Sequence, residues 1–127
     1  MGLNPIYKKM MKKIYFARPI NLYKTPQDQR DIAALEALGF DVVNPDKEEL
    51  SRRYKTEGMD VFLQAVADCQ ALAFRSTVNL GITAGVVKEI QKAQELGLPV
   101  FELPTLFSNR FLSVEDTRAY LSYSGIR

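Results

Sequence analysis

The sequence predicts a single-domain α/β protein, a three-layer sandwich whose parallel sheet of four to five strands lies between helices in the Rossmann or flavodoxin manner. Three observations predict it. Short β-rich runs alternate with stretches of helical period along the chain. Prolines and glycines punctuate the joins where strands and helices must stop. The 127 residues are 46% hydrophobic and 25% charged, which suits one ordinary domain and is too short for two. Strand–helix–strand units connect parallel strands by right-handed crossovers, which place helices on both faces of the sheet.

Lys13–Ala17 reads as the first strand, ended by Pro19. Thr25-Pro26-Gln27-Asp28 is a helix start, with a threonine cap, a proline in the first helical position and an acid behind it. From there Ile32, Leu35 and Leu38 fall on one stripe, and Gly39 can supply a left-handed C-terminal cap. Phe40 to Asn44 reads as a second strand, stopped by Pro45. Residues 46–58 are polar and charged, with Tyr54 their only aromatic, and read either as a solvated loop with a helical turn or as a lid over a site. Met59 to Asp68 returns to helical period. Ala71–Phe74 is a buried type of strand, and residues 76–83 form a turn-rich connection. Ala84–Leu96 is a helix closed by Gly97, and Pro99–Leu103 a fourth strand. Ser113-Val114-Glu115-Asp116 opens a last helix that runs to about Tyr123.

Composition narrows the chemistry. The chain has no histidine, which excludes histidine-based triads, His-ligated metals and a histidine pH switch. A single cysteine, Cys69, excludes an internal disulfide and suits a reducing compartment, so a cytoplasmic location is expected. The formal charge of +2 hides an asymmetry. Lys8, Lys9, Lys12 and Lys13 carry four positive charges near the start, and without them 13 basic residues face 15 acidic ones, a net of −2. The body therefore lacks the sustained basic face that a nucleic-acid polymer requires. No apolar run has membrane-spanning length, and the leader lacks the apolar core of a signal peptide. Residues 1–12 read as a basic leader, a loose arm or a segment preceding a start at Met10 or Met11, and 13–127 as the domain. Neither a metal nor a cofactor is expected.

In open parallel sheets the ligand sits beyond the carboxyl ends of the strands. Ala17–Thr25, Asn44–Gly58, Arg75–Gly85 and Leu103–Ser113 should converge there. Glu89 stands one turn into the helix after the third strand, where the helix dipole favours an ionised carboxylate directed at the ligand edge. With no histidine available, such a group suits attack on an electrophilic sugar carbon. A capping or solvated glutamate is the plainer reading. Asp60 opens the preceding helix, either as a first-turn acid or as a second carboxylate of the kind glycosidases pair. Cys69 reads as a small buried side chain. Phe101, Leu106, Phe107 and Phe111 read as core or subunit contacts, and Tyr120 and Tyr123 as packing residues.

Several of these residues together resemble a family. Lys13-Ile14-Tyr15-Phe16-Ala17 with Pro19, Gly39-Phe40-Asp41-Val42-Val43-Asn44-Pro45, the Asp60 to Asp68 spacing, Gly85-Val86-Val87-Lys88-Glu89-Ile90 and Gly97-Leu98-Pro99-Val100 resemble the nucleoside 2-deoxyribosyltransferase family, which includes the 2′-deoxynucleoside 5′-phosphate N-hydrolases. The resemblance spans roughly residues 13–103. It implies that Glu89 is a nucleophile forming a glycosyl-enzyme intermediate and that Asp60 orients the sugar or protonates the base. It implies further that Tyr15 lines the nucleoside pocket and that Thr83 binds phosphate together with backbone amides at the helix start; Ala17, Asn21 and Gly85 are expected as further substrate-binding residues. The segment Ala17-Arg18-Pro19-Ile20-Asn21 departs from the Gly/Ser-rich turn of the N-hydrolases, and Arg18 could take over as a phosphate ligand. The stretch from Asp68 to Gly85 is longer than expected for the N-hydrolases, so Arg75 to Thr83 could reshape the pocket. Ser108 and Asn109 would complete a neighbour's site in a homodimer or larger homo-oligomer. The expected activity is cleavage of the N-glycosidic bond of a 2′-deoxynucleoside 5′-monophosphate. Base exchange, cleavage of a ribosyl–nicotinamide bond and a non-catalytic nucleotide-binding module are the alternatives.

Overall fold

The computed structural model describes residues 11–104 and 111–126. Four strands form one sheet: β1 (Lys13–Ala17), β2 (Asp41–Val43), β3 (Ala71–Phe74) and β4 (Val100–Glu102). Five α-helices accompany them: α1 (Pro26–Ala37), α2 (Glu48–Glu57), α3 (Asp60–Ala67), α4 (Ala84–Glu95) and α5 (Val114–Tyr123). The strand order is β2-β1-β3-β4, and every pairing is parallel. This is the expected α/β architecture, with β1 and β3 side by side at its centre.

The pleat sorts the core into two layers. Ile14 and Phe16 of β1, with Ala71 and Ala73 of β3, face α1 and pack around Leu35. Tyr15 and Ala17 of β1, with Leu72 of β3, face the other way and meet Val66, Cys69, Val86 and Ala93. The register Ile14↔Ala71 and Tyr15↔Leu72 brings like-facing residues side by side. A one-residue slip would exchange the two layers, so burial on both faces fixes the register. Cys69 is the small buried side chain expected, and its thiol donates to the Ala65 carbonyl at 3.3 Å. Burial pushes that thiol up to about 12, so it is no nucleophile.

The caps read from the sequence form as expected. The Thr25 hydroxyl accepts from the Asp28 amide, and that of Ser113 from the Asp116 amide. Gly39 and Gly97 take the left-handed conformation after α1 and α4, at φ of 96° and 71°.

Three expectations are corrected. First, residues 46–58 are largely helical. α2 has no buried residue, and its only large apolar side chains are Leu50 and Tyr54, which is why its period was not legible. It is held by Glu48 and Glu49 at its N-terminus, by an Arg53–Glu57 pair and by the Tyr54 ring on Phe62 of α3, with centroids 5.2 Å apart. Second, Leu38 is 72% exposed, because the buried stripe of α1 is Asp28, Asp31 and Leu35. Third, Tyr120 and Tyr123 are exposed, since α5 carries no buried residue, and Phe111 ahead of that helix is exposed as well, so none of the three packs into the core of this chain. Leu106 and Phe107 lie outside the described residues.

The two buried acids of α1 answer two buried arginines. Arg18 directly follows β1, and its Nε and Nη2 donate to the two carboxylate oxygens of Asp28 at 2.7 and 2.8 Å. Arg75 directly follows β3 and makes the same two-pronged contact with Asp31, at 2.5 and 2.8 Å. Paired forks of this geometry hold α1 against the carboxyl ends of both central strands. Asp28→Ala would leave the Arg18 charge buried without its carboxylate. It is expected to lower unfolding free energy by roughly 3 kcal/mol in chemical denaturation; a loss below roughly 1 kcal/mol would contradict this account of the pair.

Candidate active site

A cleft of about 720 Å³ opens at the carboxyl end of the sheet, a volume suited to a small ligand. It lies where strand order reverses: β1 leads outward to β2, and the chain then crosses back to β3. The segment after β1 forms its floor through Arg18, Asn21 and Tyr23. Pro45 and Asp46 after β2 form one side. α2 contributes Ser51, Tyr54 and Lys55, and Met59 and Phe62 follow. Thr83, Gly85, Val86 and Glu89, at the start of α4, close the cleft.

Glu89 is the chemically distinctive group. Val86, Glu89 and Ala93 form the buried stripe of α4, so a carboxylate occupies a position that packing would otherwise give to an apolar side chain. Only 5% of the residue is exposed, yet it lines the cleft. The Tyr15 hydroxyl, reaching across from β1, donates to its Oε2. Burial pushes Glu89 up to about 7, while the Tyr15 hydrogen bond and the Arg18 charge act in the opposite direction. The helix dipole therefore does not keep Glu89 fully ionised, as position alone had suggested; desolvation outweighs it. Burial first, and the Glu89 charge second, push the Tyr15 phenol far above its ordinary range, so it stays a proton donor.

Arg18 does not present a free cation to the cleft. Besides its fork to Asp28, its Nη1 donates to the Phe16 carbonyl at 3.2 Å and to Asn44 Oδ1 at 2.8 Å. The expected phosphate ligand is instead a strut, its charge already matched. Its guanidinium lies 4.4 Å from the centre of the Tyr23 ring, a cation–π contact that holds the ring at the cleft. Burial pushes Tyr23 up to about 12, against the opposing Arg18 charge. Beside it Lys24 adopts a left-handed backbone at φ 62°, and its amide donates to Asp28 Oδ2 at 3.0 Å. Asp28 thus organises the whole turn after β1.

The structure brings Glu89, Arg18, Asn21, Thr83 and Gly85 together around one cleft. Tyr15 lies behind Glu89 as a positioning residue rather than at the cleft wall. Two residues stand elsewhere. Asp60 is exposed at the first position of α3 and does not line the cleft. It is a first-turn acid favoured by the helix dipole, because the inner stripe of α3 runs through Val61 and Val66 instead. Ala17 is fully buried against the α3–α4 layer, where the pleat of β1 sends it. Arg75 turns away to Asp31, and of residues 75–83 only Thr83 reaches the cleft. Ser108 and Asn109 lie outside the described residues. Sequence reasoning missed Tyr23, Asp46, Ser51 and Lys55. Tyr23 had no periodic signal, and the other three lie in the charged stretch that gave no helical period.

Thr83 precedes α4 as its cap residue, but its side chain makes no capping bond. Thr83 and Gly85 line the cleft at this helix start, and the first turn of α4 holds no acid. Among the described residues no group of three or more His, Cys, Asp or Glu is placed to hold a metal ion, and no helix is long and apolar enough to cross a membrane. No protein-family model matches the chain, and no curated protein matches it.

The raised Glu89 carboxyl has two pH consequences. If ionised Glu89 does the chemistry, kcat/KM should climb about tenfold per pH unit below about 7 and level off above it. The native state holds this proton to higher pH than the unfolded chain, so stability falls as pH rises from about 4.5 to about 7. Tyr15→Phe removes a hydrogen bond that favours the ionised form, and should move the kcat/KM midpoint up by about one pH unit. A wild-type midpoint near 4.5, or an unmoved midpoint in Tyr15→Phe, would contradict the geometry.

Proposed function

We propose that this protein cleaves the N-glycosidic bond of 2′-deoxynucleoside 5′-monophosphates, with Glu89 as nucleophile. The observation that carries the reading is a buried carboxylate, held by Tyr15 rather than by an arginine, that lines a nucleotide-sized cleft at the switch point of the sheet. The resemblance to the nucleoside 2-deoxyribosyltransferase family supports it from the sequence side.

In the proposed reaction a Glu89 oxygen bonds to the anomeric carbon as the C1′–N bond breaks. The bonding pair leaves with the base, which takes up a proton from solvent. Water then attacks the same carbon as its C–O bond to Glu89 breaks, returning a proton to solvent, releasing the sugar phosphate and restoring the carboxylate. Tyr15 holds Glu89 in one orientation, so the attacking oxygen is positioned before substrate arrives. Partial protonation of Glu89 at neutral pH is the counterpart of its burial, and an ionised Glu89 in this dry setting is a stronger nucleophile than a solvated one. Asp46 is the second carboxylate that lines the cleft, which Asp60 does not reach. The aromatic side chains of Tyr23, Tyr54 and Phe62 offer faces for a planar base. Thr83 and the α4 amides offer donors to oxygen ligands. The proposal places the enzyme in the cytoplasm as a homo-oligomer, with the exposed apolar residues Val114, Tyr120 and Tyr123 as contact surface. Transfer to a second base would use the same first step and differ only in what attacks the intermediate.

Purified protein should release free base from deoxynucleoside 5′-monophosphates without an acceptor base, followed by chromatography. Glu89→Gln should lower this turnover by roughly four orders of magnitude with an unchanged far-UV circular dichroism spectrum. Retention of a tenth or more of the activity would sink the assignment. Ligand binding without release of base from any substrate would leave a binding module in its place.

A further inference from the structure

Resting on the nucleotide reading above, we propose that Lys55 and Ser51 of α2 form the subsite that reads the anionic phosphate of the ligand, in place of Arg18. Among the described residues two cationic side chains line the cleft, Arg18 and Lys55. The first is largely committed: four of its five N–H donors go to both Asp28 oxygens, the Phe16 carbonyl and Asn44. A phosphate arriving there would meet a charge already matched by a buried carboxylate.

Lys55 is placed differently. Its helical neighbours three and four residues away are Ser51, Arg52, Gly58 and Met59, none of them an acid. The nearest acid along the chain, Glu57, is taken by Arg53 through both carboxylate oxygens, at 2.9 and 3.2 Å. No ion pair of Lys55 forms among the described residues. Ser51 lies one turn earlier on the same face and also lines the cleft, so an ammonium and a hydroxyl donor stand together. An ammonium flanked by a hydroxyl donor suits a phosphate oxygen.

The other walls argue for the same side. Asp46 and Glu89 both line the cleft, and a phosphate dianion close to either would be repelled. A dianion beside Glu89 would also hold that carboxyl protonated and suppress the proposed chemistry. Binding the phosphate on α2, a different element from the one bearing Glu89, separates the two requirements. It also gives a physical role to the helix that the sequence did not reveal. α2 buries nothing, and three of its residues, Ser51, Tyr54 and Lys55, share the face turned to the cleft.

Equilibrium titration tests this with the four common 2′-deoxynucleoside 5′-monophosphates, the matching nucleosides and inorganic phosphate. Protein with Glu89 intact and the Glu89→Gln protein are both used, the latter so that ligand is not consumed. Lys55→Met should weaken monophosphate binding by roughly tenfold and change nucleoside binding by less than about twofold. Lys55→Arg should restore most of the loss, and Asp46→Asn should tighten the monophosphate alone. Inorganic phosphate should compete with the monophosphate in the wild type and not in Lys55→Met. Monophosphate affinity unchanged by Lys55→Met, or an equal loss for the nucleoside, would overturn the subsite while leaving the N-glycosidase reading intact. Lys55-dependent monophosphate binding without base release would uphold the subsite and overturn the N-glycosidase reading. Absence of binding by any nucleotide or nucleoside would overturn both.

Discussion

The contact between Tyr15 and Glu89 is the constraint on which the site depends. It joins the central strand to the helix after β3 and runs through a layer otherwise made of Val66, Leu72, Val86 and Ala93. A buried carboxylate is costly unless it is hydrogen-bonded or takes up a proton, and here both responses occur. An apolar residue at position 89 would serve packing better. The glutamate therefore weakens the core locally and gives the cleft a carboxyl whose proton is exchanged near neutral pH.

Around that contact the positive charges are arranged to be neutral. Arg18 and Arg75 follow the two central strands, and Asp28 and Asp31 meet them from α1. The pairs brace the carboxyl ends of β1 and β3, where the sheet would otherwise present loose loops to the ligand. Because each arginine is matched, neither supplies net charge to the cleft. Arg18 acts through the Tyr23 ring it holds and through the turn it shares with Asp28. Lys55 is left as the cation able to respond to an incoming anion. The braced part of the cleft thus comes from the sheet and α1, and the cation without a carboxylate partner among the described residues from α2.

Much of the fold was legible. β1 and β3 are buried on both faces, so their runs of apolar residues stood out, and Thr25, Gly39, Gly97 and Ser113 marked helix ends by local chemistry that the structure reproduces. Glu89 was legible for a related reason: the start of α4 could be placed, and the helical count then located its carboxylate. Where reading failed, the missing signal was long-range. Asp28 and Asp31 occupy buried positions of α1 only because two distant arginines are there to meet them, and a hydrophobic period cannot register that. α2 shows too few apolar residues for a legible period, Leu50 and Tyr54 alone, because it is steadied by one aromatic contact and by charges along its own surface. Asp60 misled because a first-turn acid and a catalytic acid look alike in sequence, and a rotation of one residue on α3 decides between them.

The central claim is covalent participation of Glu89. Its most direct measurement is peptide mapping by mass spectrometry after incubation with a 2′-deoxy-2′-fluoro nucleoside 5′-monophosphate, whose fluorine slows breakdown of a glycosyl ester. The account predicts one sugar phosphate adduct, carried by the peptide containing Glu89 and absent from Glu89→Gln. Turnover of this compound with the adduct on another residue, or an adduct that persists in Glu89→Gln, would contradict it.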